Sequence, residues 1–572
     1  MRPAANFSGT LINTNHDNII SHIYLSALHN SDLSFGLTSI EMTTGDMSLA
    51  RYFYWHFVAI SLLVATAVCD ISSNSFRQRC LALKPARLIH NSTLTRQEFV
   101  SAGTTLDLSD NVPSCNRRSQ LVTVDLCRIA LQIPTSKRSS ISFELWLPQK
   151  WEGSRYLATG NGGVDGCIKY EDLGYGTSNG FATMGTNNGH NGTTAITMLN
   201  NPDVIKDFSY RSLHTGTESA KKIIKSFYGK KSAKNYYIGC SLGGRMGVKA
   251  AEAYPEDYDG IVAGAPAVDF NNLQGQRAMF YPITGNSTSA NYIPLTTWTG
   301  LIHDGVLAQC DKIDGVRDGI IEVPDKCFFN PKKLLCKGSQ TSKCLNSAQV
   351  KQLEKIYAPY TYPNGKLIFP RMNPGNELQA VSKLLAGKPF DYSVDWFRYV
   401  VYNDPEWDAN TYSVDDVRAA EKLNPSDIRT YPKSLPAFKK RGGKLLSYHG
   451  GQDNQITQFN THRFWNRMAS ADRNLHDYYR YFPISGMSWC LGCRTGGGAP
   501  SAGVPFDPEH NVLAAIVAWV EKGNAPQSLT GTKFINDTYT EGIDFRRKHC
   551  LYPKTQTYIG GDPKKVTSWR CK

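Results

Sequence analysis

An α/β architecture, one sheet whose strands alternate with helices and which carries a large insertion, is the fold this sequence predicts. Three observations lead there. Short apolar runs of strand type recur between helix-favouring stretches. A serine stands between two glycines where one such strand gives way to one such helix. Between about 270 and 435 the text changes to Pro-, Asn- and Tyr-rich loops with scattered helices. Of the 572 residues, 41% are hydrophobic and 11% aromatic, enough to bury a substantial core and to exclude disorder for most of the chain.

Taken in order, residues 141–146 alternate as a strand does, and 155–159 form a second run leading into Gly160-Asn161-Gly162-Gly163. Residues 181–184 make a third run, and 219–228 read as a helix ahead of the strand-like Tyr236-Tyr237-Ile238. Beyond the serine, 246–253 favours helix and 260–264 reads as the next buried strand. Much later, 443–448 and 478–482 supply two more strands, and 512–522 a closing amphipathic helix. There is no internal repeat and no long low-complexity tract.

The N-terminal region indicates export. A basic start at 47–51 is followed by a short apolar stretch, 57–68, ending near the small residues Ala65-Thr66-Ala67, so 47–69 reads as a secretory signal. The stretch is shorter than the roughly 20 residues a spanning helix needs, so no stable membrane span is expected; a signal anchor is the competing reading. Residues 1–46 lack amphipathic periodicity and read as a mis-set start or a disordered extension. Acceptor motifs at Asn91, Asn191, Asn286 and Asn536 and the 14 cysteines agree with an extracellular, disulfide-bonded, glycosylated protein. Zinc competes for the cysteines, but only Cys490 and Cys493 have C-x-x-C spacing, with no second pair. Cys69 and Cys493 are the candidates for unpaired thiols. The formal charge of +14 is spread among acids rather than collected into an arm or stripe, which argues against nucleic acid as a partner.

Gly239-Cys240-Ser241-Leu242-Gly243 has the form of a nucleophile elbow, a sharp strand-to-helix turn that stands the serine hydroxyl above a sheet. G-x-S-x-G also arises by chance as a Gly-rich turn; the flanking strand and helix favour the catalytic reading. On that reading the fold is an α/β-hydrolase with an inserted lid: core at 70–269, lid at 270–435, core again at 436–572. A serine hydroxyl needs a base and an orienting acid, in the chain order Ser, Asp or Glu, His. Asp453 follows a strand in the loop Gly450-Gly451-Gln452-Asp453; its bland alternative is a turn-forming aspartate. The base is expected after the strand at 478–482, where the chain reads Gly486-Met487-Ser488-Trp489-Cys490 and has no histidine.

These stretches, with Gly244-Arg245, Tyr448-His449-Gly450, Asn188-Gly189-His190 and the segment 519–526, resemble the tannase and feruloyl esterase family from about Cys80 to Cys571. The resemblance implies hydrolysis of small phenolic acid esters, or plant cell-wall esters, of feruloyl or galloyl type. Ser241 is the implied nucleophile, Asp453 the orienting acid, and Cys240–Cys490 a disulfide tying the two catalytic loops. It also places Trp489 where the family has its histidine. An indole has an N–H donor and no acceptor lone pair, so Trp489 cannot take the serine proton, and an impaired, ligand-binding member is the rival reading. His190, His449 and His510 read as structural, capping or surface residues rather than as a relocated base. The Leu242 N–H and the Gly162-Gly163 loop, with Gly163 as donor, read as an oxyanion hole. In Asp311-Lys-Ile-Asp314-Gly315-Val316-Arg317-Asp318-Gly319-Ile320, crowded carboxylates converge only if a cation offsets their repulsion; an acidic solvated turn is the alternative. The resemblance makes this a calcium (Ca2+) loop, with the side chains of Asp311, Asp314 and Asp318 and the carbonyls of Val316 and Ile320 as ligands. Cys310, Cys327, Cys336 and Cys344 crowd the same region as two bridges of open pairing.

Overall fold

The computed structural model describes residues 74–340, 342–488 and 504–572, all within one unit spanning 72–572. The expected signal and extension, Trp489, and Cys69, Cys490 and Cys493 lie outside the described residues. Nine strands make the main sheet: β1 Thr93–Val100, β2 Leu126–Pro134, β3 Ser140–Pro148, β4 Arg155–Thr159, β5 Ala182–Thr186, β6 Lys234–Cys240, β7 Gly260–Gly264, β8 Lys444–Gly450 and β9 Tyr479–Ile484. Their order is β1-β2-β3-β5-β4-β6-β7-β8-β9. β1, β2, β3 and β5 pair antiparallel, and every pairing from β5 through β4 to β9 is parallel.

Alternation along the parallel strands divides the core into two layers. Tyr156, Ala158, Tyr237, Ile261, Ala263 and Tyr481 face one side, with α2 Ser212–Tyr228, α3 Leu242–Ala253 and α5 Gln458–Ala471 supplying Ile223, Phe227, Met246, Val248 and Phe464. Leu157, Tyr236, Ile238, Val262, Leu446 and Phe482 face the other, covered by α1 Tyr170–Ser178 and α6 Val512–Lys522 through Tyr175, Ile516 and Trp519. Helices on both faces of a mostly parallel sheet are the predicted α/β-hydrolase architecture. α4 Phe270–Ala278 opens the insertion, whose whole length separates β7 from β8 although those two strands pair directly.

Every strand and helix expected from the sequence is present; 155–159, 260–264 and 512–522 keep their expected bounds and the others have shifted ends. α2 begins at Ser212 instead of 219, because its polar first turns are buried by tertiary contacts that periodicity does not register: the Ser212 hydroxyl donates to Asn188 Oδ1 at 2.9 Å. β1, β2 and the C-terminal hairpin of β10 Ser528–Phe534 with β11 Ile543–Cys550 had no sequence expectation. Disulfides between described residues are Cys80–Cys127, Cys115–Cys167, Cys310–Cys327, Cys336–Cys344 and Cys550–Cys571. The first staples the segment before β1 to β2, and the last closes the C-terminus onto β11. Among the described residues no helix is long and apolar enough to cross a membrane.

Candidate active site

Three loops meet at the C-terminal edge of the parallel strands, the edge at which doubly wound sheets place their sites. The first is the turn from β6 to α3. Ser241 has φ 61° and ψ −117°, a left-handed conformation that a β-substituted residue adopts only under constraint. The constraint is tight packing of glycines. A Cβ on Gly244 would stand 2.4 Å from the Gly264 carbonyl oxygen, one on Gly239 2.8 Å from Gly243 backbone, and one on Gly160 2.7 Å from Gly243 Cα. The Ser241 N–H donates to Gly264 O at 3.0 Å, its carbonyl accepts from Arg245 and Ala267, and the Tyr237 hydroxyl donates to Gly243 O at 2.6 Å. Ser241 is therefore held as an elbow serine is, 5% exposed. Its Oγ makes no hydrogen bond among the described residues. Arg245, fully buried, donates to the carbonyls of Ser209 and Phe208 at 2.8 and 3.2 Å and so ties α3 to the segment before α2.

The second loop follows β4. Asn161 donates to the carbonyls of Cys167 and Thr186 and fixes the turn. Asp165, whose carboxyl is pushed up by burial, accepts from the N–H groups of Gly162 and Cys167, both at 3.3 Å. The Gly162 amide is thus occupied. Gly163 (φ 53°) makes no hydrogen bond with its N–H among the described residues. A Cβ on Gly163 would lie 2.6 Å from the ring of Tyr392, a residue of the insertion.

The third is the acid loop after β8. Asp453 is 1% exposed. Its Oδ1 accepts from the N–H groups of Gln455 and Ile456 at 2.8 and 2.9 Å, and its Oδ2 lies 3.1 Å from His449 Nε2. The insertion grips this loop: Asn373 Nδ2 donates to Gly451 O at 2.7 Å, Asn376 Nδ2 to Asp453 O at 2.9 Å, and Asn454 Nδ2 to Gln379 O at 3.0 Å. The segment after β9 lies directly against it, with Gln452 N donating to Met487 O at 2.9 Å and Gly450 pressed on the carbonyls of Met487 and Ser488. Ser488, the last described residue before Trp489, is therefore beside the acid loop.

Of the three alternative histidines, only His449 has a partner at both ring nitrogens among the described residues, and His190 Nδ1 is buried without one. His449 has both ring nitrogens engaged, Nε2 donating to Ile456 O at 2.9 Å and Nδ1 2.7 Å from the Thr461 hydroxyl; it braces Asp453 from behind. His190 Nε2 is 2.8 Å from Val164 O, and burial holds its imidazole down at about 4. His510 Nδ1 is 3.0 Å from the Asp507 carboxylate. Sequence reasoning missed Asn373, Asn376 and Tyr392, because these insertion residues reach the site only through tertiary contact and carry no local pattern.

The loop 311–320 is built by a short 3-10 turn, Asp311–Asp314, and two left-handed glycines, Gly315 and Gly319. Burial first, then the charges of Asp318 and Asp311, push the Asp314 carboxyl up to about 6, and Asp314 Oδ2 is buried without a partner. Asp311 accepts from the N–H groups of Asp318 and Gly319 at 3.4 and 3.3 Å, while Arg547 of β11 pairs with Asp318 at 2.5 Å. Among the described residues no three Asp, Glu, His or Cys side chains close on one point as a finished cage. A cation here therefore needs the backbone carbonyls as well, and the orphaned Asp314 oxygen fits one.

Residues 127–572 match the family described as tannase and feruloyl esterase. The chain belongs to this tannase and feruloyl esterase family. A protein of Aspergillus flavus named "Probable feruloyl esterase B-2" is 48% identical over 507 residues, covering 86% of this chain and 96% of that protein. One of Aspergillus clavatus named "Probable feruloyl esterase B" is 43% identical over 90% of this chain and 99% of its own length. The crystal structure of feruloyl esterase B from Aspergillus oryzae superposes with a TM-score of 0.83 at 40% identity, covering 87% of this chain and all of that one. The tannin acyl hydrolase of Aspergillus niger, TM-score 0.67 at 20% identity, shares the fold.

Proposed function

We propose that this member of the family is a secreted carboxylic ester hydrolase for phenolic acid esters of the feruloyl or galloyl kind, with Ser241 as nucleophile. The left-handed Ser241 at the end of β6, held by glycine packing, is the observation that carries the reading. In this scheme Ser241 Oγ attacks the ester carbonyl, the N–H groups of Leu242 and Gly163 hold the tetrahedral oxyanion, and the proton lost by the serine ends on the departing alkoxide, which leaves as the alcohol. Water then hydrolyses the acyl-enzyme. Asp453 is the acid that would orient a base. A Cys240–Cys490 bond would limit the drift of the two loops; Cys240 is disulfide-bonded, and its expected partner lies outside the described residues. Calcium held by Asp311, Asp314 and Asp318 and the carbonyls of Val316 and Ile320 would supply charge that fixes the insertion to the core. The relatives' names, the disulfides and the exposed acceptors Asn91, Asn191 and Asn536 support the extracellular phenolic-ester reading.

A second reading has a specific observation behind it: Trp489 stands where the base is expected, and His449, the histidine beside Asp453, has both ring nitrogens engaged. Such a protein binds phenolic esters and turns them over slowly. Methyl ferulate hydrolysis by the native protein and by Ser241→Ala separates the two. A rate that disappears in the variant supports the hydrolase, and equal rates support the impaired member.

A further inference from the structure

The insertion lays a continuous wall between the loop of Gly163 and the loop of Asp453. Tyr392 covers Gly163 and meets Phe390 edge to face, ring centroids 5.2 Å apart. The guanidinium of Arg277, on α4, lies 5.2 Å from the Phe390 ring centroid, and its Nε donates to Gln455 O at 2.9 Å, two residues past Asp453. Arg277 is 3% exposed, and burial draws its guanidinium down to about 10 against the opposing charge of Asp453. Neither Nη of Arg277, nor the Tyr392 hydroxyl, has a hydrogen-bond partner among the described residues. The Nη atoms are not sealed from solvent, so an acceptor carried by a ligand can reach them, and a hydrogen bond to a charged donor in so buried a setting is a strong one. Aromatic rings beside those donors suit a flat aromatic ligand bearing an oxygen at its edge.

We propose that Arg277 is a specificity-determining residue, donating from its Nη atoms to the hydroxyl or methoxy oxygen of a phenolic ring that lies against Phe390 and Tyr392. This rests on the phenolic-ester reading above. A role confined to holding the Gln455 carbonyl would use Nε alone and would not distinguish ring substituents.

The test measures binding, so it does not depend on turnover. In the Ser241→Ala protein, the dissociation constants of methyl ferulate and methyl cinnamate, which lacks the ring oxygens, are compared by titration calorimetry. Methyl ferulate is expected to bind roughly tenfold tighter, the scale of one hydrogen bond to a charged donor. Arg277→Gln, added to that protein, is expected to bring the ratio near one while retaining methyl cinnamate binding. Arg277→Lys, which keeps the charge and loses the paired donors, is expected to reduce the ratio, and it decides the matter if the glutamine variant unfolds. An unchanged ratio in the variants overturns the assignment, as does a ratio near one in the parent. Failure of the parent to bind either ester is a different result and sinks the phenolic-ester reading itself.

Discussion

At Asp453 and His449 a pair that reads from sequence as acid and bystander becomes an acid and its brace. His449 donates from Nε2 to Ile456 O and meets the Thr461 hydroxyl through Nδ1, so its imidazole is fully committed at the back of the acid loop. His190 is committed in another way: its burial holds it neutral, with a folded value of about 4 against 6.5 for the ordinary imidazole. Between those two values the unfolded chain binds more protons than the folded one, so folding stability falls as pH drops from 6.5 toward 4. The loss from His190 is about 3 kcal/mol across that window. Urea midpoints at pH 7 and pH 4.5 should show a drop that shrinks in His190→Gln, and an equal drop in both proteins would contradict this account. Ser241, Asp453 and Trp489 could be singled out in the sequence as residue types at known offsets. The engagement of the three histidines was not, because each depends on partners such as Thr461 and Val164 that only the fold brings close.

At the scale of elements, the elbow is a backbone contact between β6, α3 and the strands beside them. Gly244 is the clearest case, since a methyl group there meets the Gly264 carbonyl at 2.4 Å and Pro266 Cα at 2.8 Å, and neither is a side chain that can turn away. Gly244→Ala should cost about 2–3 kcal/mol, the scale of overpacking against backbone, and thermal unfolding measures it. Gly442→Ala, at a position where a methyl would meet nothing within 4 Å, controls for loss of glycine alone, although its φ of 85° adds strain. The parallel strands β4 and β6 to β9 were legible because both faces are buried and the runs are apolar. β1, with the sequence TLTRQEFV, carries polar residues on an edge strand and gives a weak signal. The hairpin of β10 and β11 is similar: Arg546, Arg547 and Lys548 break any apolar pattern, and Arg547 is 4% exposed because it pairs with Asp318 and Glu322 far away in the chain.

At the scale of the whole molecule, the insertion, the C-terminal hairpin and the core are joined around the loop 311–320. Arg547 reaches from the hairpin to Asp318, and Ser485, just past β9, donates to buried Glu322 at 2.6 Å. A calcium ion at this junction would bind the folded state alone and stabilise it by mass action. Added calcium should raise Tm, a chelator should lower it, and Asp314→Asn should remove the response; a Tm indifferent to calcium in the native protein would exclude the site. The aspartate pattern made this loop legible, whereas its closure by Arg547 lies far away in the chain and left no local trace.

The central claim is the proposal that Ser241, Asp453 and the Gly163 loop form a serine hydrolase site that a histidine at position 489 would complete. Loss of the histidine from the serine triad of subtilisin costs about a millionfold in turnover, so restoring one has a wide range in which to act. The decisive measurement is kcat/KM for methyl ferulate in the native protein, in Trp489→His, and in Trp489→His combined with Ser241→Ala. The account predicts a gain of at least about a thousandfold in the histidine variant, a share of that range, and its complete loss when Ser241 is removed. A folded histidine variant no faster than the native protein, or one whose activity survives Ser241→Ala, would contradict it.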